Sequence, residues 1–310
     1  MVDLKRLLTS IAAHEYHEEV EQIIKLKQKS LLADTSEMAI NSAHGVAFHR
    51  GLGTPLHPVS SSPVQAYLGH QEIQAFSQIA YTKPNFAIVA NGANHEELSQ
   101  WVGKFFTDVP SEASKDIPPL YTAPTKYYGG EERIAHASGN NMILAFPGSG
   151  AVTGPSAKPE MLVLSALLGG QSSIKWSPGF SLLSKAAEAF SQVSIMTEHL
   201  TYTDAGLMAI SLSGSAQDIR NAAGEVVKVL RSIAAGDIKS EDIKKAVATA
   251  KFQALESGQN ISTGLEMTGA GLIQNGKPYQ LDELAKIIDG VKEDQVKKVT
   301  ACPFFLRPLN

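Results

Sequence analysis

The residues best suited to chemistry stand near the start of the chain, in His14-Glu15-Tyr16-His17-Glu18. Two imidazoles among carboxylates suggest a divalent metal site, because histidine nitrogen and carboxylate oxygen are ordinary zinc ligands. The spacing argues against it. A helical zinc pair needs histidines four apart with a glutamate between them, as His-Glu-x-x-His or His-x-x-Glu-His, so that both rings leave one face of the helix. His14 and His17 are three apart, and neither pattern occurs at any of the nine histidines. The cluster reads instead as a solvated helix start at the junction of two helices, where carboxylates favour the positive end of the helix dipole.

Other candidates fail on the same kind of test. Gly169-Gly170-Gln171-Ser172-Ser173, with Gly179 further on, has the glycines of a phosphate loop. It lacks the Lys-Ser/Thr ending of a P-loop and does not match Gly-x-Gly-x-x-Gly, so it reads as a loop after a helix. Ser149 in Pro147-Gly148-Ser149-Gly150 is not the Gly-x-Ser-x-Gly of a nucleophile elbow. Asp204, Glu241 and Asp242 fall on turns and helix starts, where capping explains them. The single cysteine, Cys302, excludes an intrachain disulfide framework and fits a reducing compartment. No catalytic, cofactor-binding or metal-ligating constellation is expected.

Composition narrows the class further. The 310 residues are 43% hydrophobic, 19% charged and 7% aromatic, enough apolar material for two cores and too little charge for a disordered chain. A net charge of −4 offers nothing to neutralise phosphates, so no nucleic-acid partner is expected. No apolar run reaches the roughly 18 residues that span a bilayer. Residues 1–13 carry two basic residues, but Leu4, Leu7, Leu8 and Ile11 mark one helical face, which predicts a buried structural helix over 4–13 in place of a targeting segment.

The elements that would position any site come in two related sets. Glu18-Glu19-Val20, Gly53-Thr54-Pro55 and Gln71-Glu72-Ile73 are matched by Glu241-Asp242-Ile243, Gly276-Lys277-Pro278 and Asp294-Gln295-Val296, with spacings of 33 and 20 residues in both sets. Duplicated spacing means duplicated units, here offset by 223 residues. The unmatched parts predict a first copy without its opening half and a second without its closing strand. Periodicity predicts helices near 18–33, 36–48, 69–81 and 95–106, then a strand at Phe86–Ala90. The proline-rich stretch 108–128 reads as a linker. Beyond it, strands are predicted at Glu131–Ala137 and Asn141–Phe146 around a Gly139-Asn140 turn, and at 192–199 and 206–213. Helices are predicted at 156–168, 180–190, 216–235, 240–256, 261–274, 281–288 and 292–300. Strands first and helices afterwards argue for an α+β fold, each domain a mostly antiparallel sheet with helices packed on one face.

These landmarks resemble one family, the mitochondrial processing peptidase and pitrilysin-like group, over about residues 3–300. The carriers are His14–Val20 (HEYHEEV), Ala43–Pro58 (AHGVAFHRGLGTPLHP), Asn85–His95 (NFAIVANGANH), Tyr127–Arg133 (YYGGEER), the stretch 169–183 and Tyr202–Leu207 (YTDAGL). The resemblance implies that 1–107 is the second half of an N-terminal peptidase-like domain, 108–128 a linker, 129–300 a C-terminal peptidase-like domain and 301–310 a divergent tail. Active members carry His-x-x-Glu-His in the first half of domain one and a third ligand, a glutamate, on a later helix. The resemblance places Glu18, Glu19 or Glu21 at that third position. One carboxylate without the histidine pair makes no zinc site, so a non-catalytic chain without metal or cofactor is implied.

The Gly169–Gly179 stretch occupies the place of a presequence-contacting loop but is poorer in glycine, so peptide binding is not carried over. The implied role is that of a structural core subunit of respiratory complex III (ubiquinol–cytochrome c reductase). It would be packed with a core 1-like partner on the matrix side of the mitochondrial inner membrane, without a transmembrane segment. The alternative is a non-metal, alpha-like subunit of a processing peptidase; a third reading is a fragment with no stable role. Ala301–Asn310 departs from the family, because Pro303 and Pro308 cannot serve a central strand, and it is expected to be disordered or loosely laid on the surface.

Overall fold

The structure, a computed structural model, describes residues 16–55, 70–107, 109–113, 123–170, 179–190 and 192–300. The helix expected over 4–13, His14, Glu15, Gln171–Ser173, Cys302 and the 301–310 tail lie outside the described residues. Two compact units emerge. One gathers Met1–Ala33, His57–Pro124 and Leu265–Pro278; the other gathers Asp34–Leu56, Thr125–Gly264 and Tyr279–Asn310. Residues 34–56, which the sequence groups with the chain before 108, thus belong with the later part, because the helix they form lies against the first strand of the sheet.

In the first unit a π-helical turn, Tyr16–Val20, runs into α1 (Glu21–Ala33), whose first turn is held by a Glu21–Lys25 pair at 3.0 Å. α3 (His70–Ala80) is followed by a short 3-10 turn at Lys83–Asn85 and then by α4 (His95–Phe105). Asn94 starts α4 by accepting the amides of Glu96 and Glu97 at 2.9 and 3.3 Å, two of the donors a helix start leaves unpaired. The strand expected at Phe86–Ala90 does not form. Phe86 has extended backbone and stacks between Tyr81 and Phe106, yet no strand pairs with the run among the described residues. A strand exists only through its ladder, so an apolar extended run without a partner remains irregular.

The second unit holds α2 (Thr35–Phe48) and a three-stranded sheet of β1 (Asn140–Pro147), β2 (Ser194–Thr201) and β3 (Gly206–Gly214). The sheet is antiparallel throughout, in the order β1-β3-β2. The hairpin predicted from Glu131–Ala137 into β1 is absent. Glu131–Arg133 are charged and nearly the whole segment is exposed, so it has no apolar face to bury, and β1 takes β3 as its partner instead. The remaining helices are α5 (Pro159–Leu168), α6 (Leu182–Ala187), α7 (Ala216–Ala234), α8 (Ser240–Gln259), α9 (Ile261–Asn275), α10 (Leu281–Asp289) and α11 (Glu293–Thr300). α9 crosses from one unit to the other.

Strand alternation sorts the sheet's two faces. Leu144, Ile195, Met208, Ile210 and Leu212 point to the side covered by α5 and α7, and form the core with Val163, Leu164, Leu167, Val226 and Leu230. Ala145, Leu200 and Leu207 point the other way, where Ala43, Ala47 and Phe48 of α2 cover one end. The internal repeat is visible in the helices. Moved by 223 residues, Glu21–Ala33 falls at 244–256, within α8, and His70–Ala80 begins at 293, where α11 begins.

Candidate functional site

The charged residues singled out by the sequence do not converge. Glu18 and Glu19 stand exposed on the π-helical turn, and Glu21 is engaged with Lys25. No group of three or more His, Cys, Asp or Glu side chains able to hold a metal occurs among the described residues. Glu241 pairs with Lys245 at 2.8 Å, and that contact pulls its carboxyl below the usual range; Asp242 faces Lys185 at 3.6 Å. Asp204 accepts the amide and hydroxyl of Thr125 at 2.8 and 3.1 Å, fastening the chain ahead of β1 to the β2–β3 turn. A groove of about 290 Å³ near the start of α8 includes Asp289 and Glu293, but Lys251 and Lys297 already neutralise them.

The glycine stretch is architectural where it is described. Gly169 ends α5 at φ +59, where a side chain would be strained, and a Cβ on Gly170 would come within 2.5 Å of the Ile195 carbonyl. The segment therefore closes a helix tightly against β2.

The polar centre of the second unit is one that sequence reasoning missed. His44, on α2, is fully buried. Its Nδ1–H donates to the Ile40 carbonyl at 2.7 Å, which leaves Nε2 to accept the Tyr202 hydroxyl at 2.5 Å. The Tyr202 ring stands edge-on to the imidazole at 5.7 Å, and burial pushes its hydroxyl pKa upward. Phe48 extends the cluster to Tyr127, whose hydroxyl donates to the Ala145 carbonyl at 2.9 Å. This chain of contacts seats α2 on the sheet.

A second buried imidazole lies on the opposite face of the sheet. His199 accepts the Ser149 amide at Nε2, 3.1 Å away, so its proton resides on Nδ1, which has no hydrogen-bond partner among the described residues. Burial lowers its pKa from 6.5 to about 4, so the ring is neutral at ordinary pH. Ser149 itself is buried, and its hydroxyl donates to the Gly150 carbonyl at 3.3 Å, facing backbone in place of a base. Each imidazole has thus committed a ring nitrogen to holding one element on another. The arrangement fixes α2, the loop after β1 and the β2–β3 hairpin; it presents neither an activated nucleophile nor a proton carrier to solvent.

Residues 67–250 match the profile of the peptidase M16 inactive domain, over more than half of the chain. The chain belongs to the peptidase M16 family. Its described core agrees with a member built for packing, since the side chains that the fold draws inward link elements to one another. Among its relatives, the cytochrome b-c1 complex subunit 2, mitochondrial, of Neurospora crassa is 43% identical over 289 residues, 93% of this chain and 62% of the relative. The protein of the same name from Schizosaccharomyces pombe is 32% identical over 82% of this chain and 57% of its own length. The M16 chain thus spans about three fifths of the length of these relatives. A solved structure of Complex III2 from Candida albicans, Inz-5 bound, contains a chain of the same fold, with a TM-score of 0.76 at 15% identity over 97% of this chain and 74% of the other.

Proposed function

We propose that this chain is a non-catalytic structural core subunit of mitochondrial respiratory complex III (ubiquinol–cytochrome c reductase). It scaffolds the assembly with a core 1-like partner and other complex III subunits on the matrix side of the inner membrane. The observation that carries the reading is the 43% identity to the Neurospora crassa subunit over nearly the whole of this chain. The match to an inactive domain supports the absence of catalysis, and so does the buried, structural use of His44 and His199. None of the described helices is long and apolar enough to cross a membrane, consistent with a peripheral place. In this reading residues 1–107 correspond to the later half of an N-terminal peptidase-like domain, 108–128 to a linker and 129–300 to a C-terminal one. No residue is assigned a catalytic, metal or cofactor role.

Affinity purification of the tagged chain from gently solubilised mitochondria tests the proposal. Cytochromes b and c1 are expected to co-purify with it. Recovery of a soluble zinc peptidase subunit in their place would overturn the reading in favour of an alpha-like processing-peptidase subunit.

A further inference from the structure

One cluster on the surface of the second unit takes no part in the packing described above. α2 ends at Phe48, and His49 follows at φ +60 and ψ −40, the one non-glycine residue with positive φ among the described residues. The Arg50 amide donates to the Phe48 carbonyl at 2.6 Å, closing a γ-turn of the rare, strained hand. Strain of this kind persists only where surrounding contacts hold it, and it concentrates at functional positions. Here the turn sets the His49 ring edge-on to Tyr128 at 4.8 Å. The Lys126 ammonium lies 5.3 Å from the centre of the same phenol ring. His49, Arg50, Lys126 and Tyr128 are all exposed.

The two full cations of this cluster are uncompensated: no carboxylate pairs with Arg50 or Lys126 among the described residues. The acids close in sequence are engaged elsewhere, Glu131 with Arg133, Glu132 with Ser42, and Asp204 with Thr125. The chain as a whole carries a net charge of −4, so the patch stands out in sign. A planar guanidinium fork and an ammonium steadied on an aromatic ring suit carboxylates. A membrane surface calls for more: lipid-binding basic clusters have roughly four to eight cations, and this one has two beside a single ring.

We propose that His49, Arg50, Lys126 and Tyr128 form a docking patch for an acidic, carboxylate-bearing peptide segment of a protein partner. The patch recognises charge of opposite sign, and the γ-turn holds its ring and cations in place before the partner arrives. The proposal does not depend on which assembly the chain joins.

Fluorescence anisotropy of a labelled glutamate–serine repeat peptide, titrated with the whole chain at low salt, tests it. Saturable binding is expected. The double substitution R50E/K126E is expected to weaken it about tenfold or more, the combined effect of two exposed ion pairs. K228E, which reverses a lysine paired with Glu225 on α7, is expected to leave affinity within about twofold. H49G relieves the positive φ and removes the ring, so it is expected to raise the melting temperature while weakening peptide binding. The proposal is overturned by absence of saturable binding, by an equal loss in K228E, or by stronger retention on phosphatidylglycerol-doped vesicles than on the peptide. It is equally overturned if R50E/K126E changes only the self-association of the chain in sedimentation.

Discussion

Tyr202→Phe removes a single oxygen from the second unit and leaves one buried acceptor without its donor. His44 is fully buried and its Nδ1–H is committed to the Ile40 carbonyl, so Nε2 cannot turn elsewhere. The ring of residue 202 remains, and with it the edge-on contact at 5.7 Å, so the loss belongs to the hydroxyl alone. A buried polar atom stripped of its partner costs about 1–3 kcal/mol. Tyr202 is only half-buried, and water reaching the site from that side places the expected loss at about 1–2 kcal/mol. In a unit of this size, that corresponds to a fall in melting temperature of roughly 2–8 °C. Urea unfolding read by pulse proteolysis reports the change without requiring the chain to be free of partners. Combined with H44L, Y202F should cost almost nothing further, giving a coupling of about 1–2 kcal/mol. If the two substitutions add to within about 0.3 kcal/mol, the hydrogen bond does not hold α2 to the sheet and the reasoning fails.

Three further outcomes follow from the same structure. His199 has a folded pKa of about 4 against 6.5 when exposed, so the unfolded chain binds the proton first as pH falls. Its contribution is whole above about pH 6.5 and is lost toward pH 4, by about 3 kcal/mol in all, and H199N should flatten the stability–pH curve across that window. Gly206→Ala would drive a Cβ into the backbone of Ser149, whereas Gly224→Ala meets open space on α7; the first should destabilise by about 3 kcal/mol or prevent folding, and the second should stabilise by up to about 1 kcal/mol, both read by urea midpoint. Elemental analysis of the purified chain should find no stoichiometric zinc, and one tightly bound zinc per chain would refute the non-catalytic reading.

Legibility in the sequence followed the range of the interactions. The helices were readable because their determinants are local: Asn94 and Ser215 cap the turns that follow them, and Ile219, Val226, Leu230 and Ile233 repeat at helical spacing along α7. The repeat was readable for the same reason, since α1 and α3 recur as α8 and α11 at a constant offset. The two strands misread from pattern, Phe86–Ala90 and Glu131–Ala137, have β-like composition but lack a ladder partner in one case and a buried face in the other. Neither condition is a property of the segment itself.

The polar centre lay beyond sequence reasoning for a related reason. His44 sits in the stretch Ala43–Pro58, quoted above only for its family likeness, and its partner Tyr202 is 158 residues away. Ser149 was weighed as a nucleophile and rejected on spacing; what it does instead, donating its amide to His199 across 50 residues, depends on the sheet being assembled. By itself the sequence determined where helices begin and end, that the chain is built from a duplicated unit, and that it carries no His-x-x-Glu-His, because each rests on neighbours a few residues apart or on counting. The strand order β1-β3-β2, the passage of residues 34–56 into the second unit and the burial of two neutral imidazoles were decided only by the tertiary structure. A strand has no partner, and a buried acceptor no donor, until distant segments of the chain are brought together.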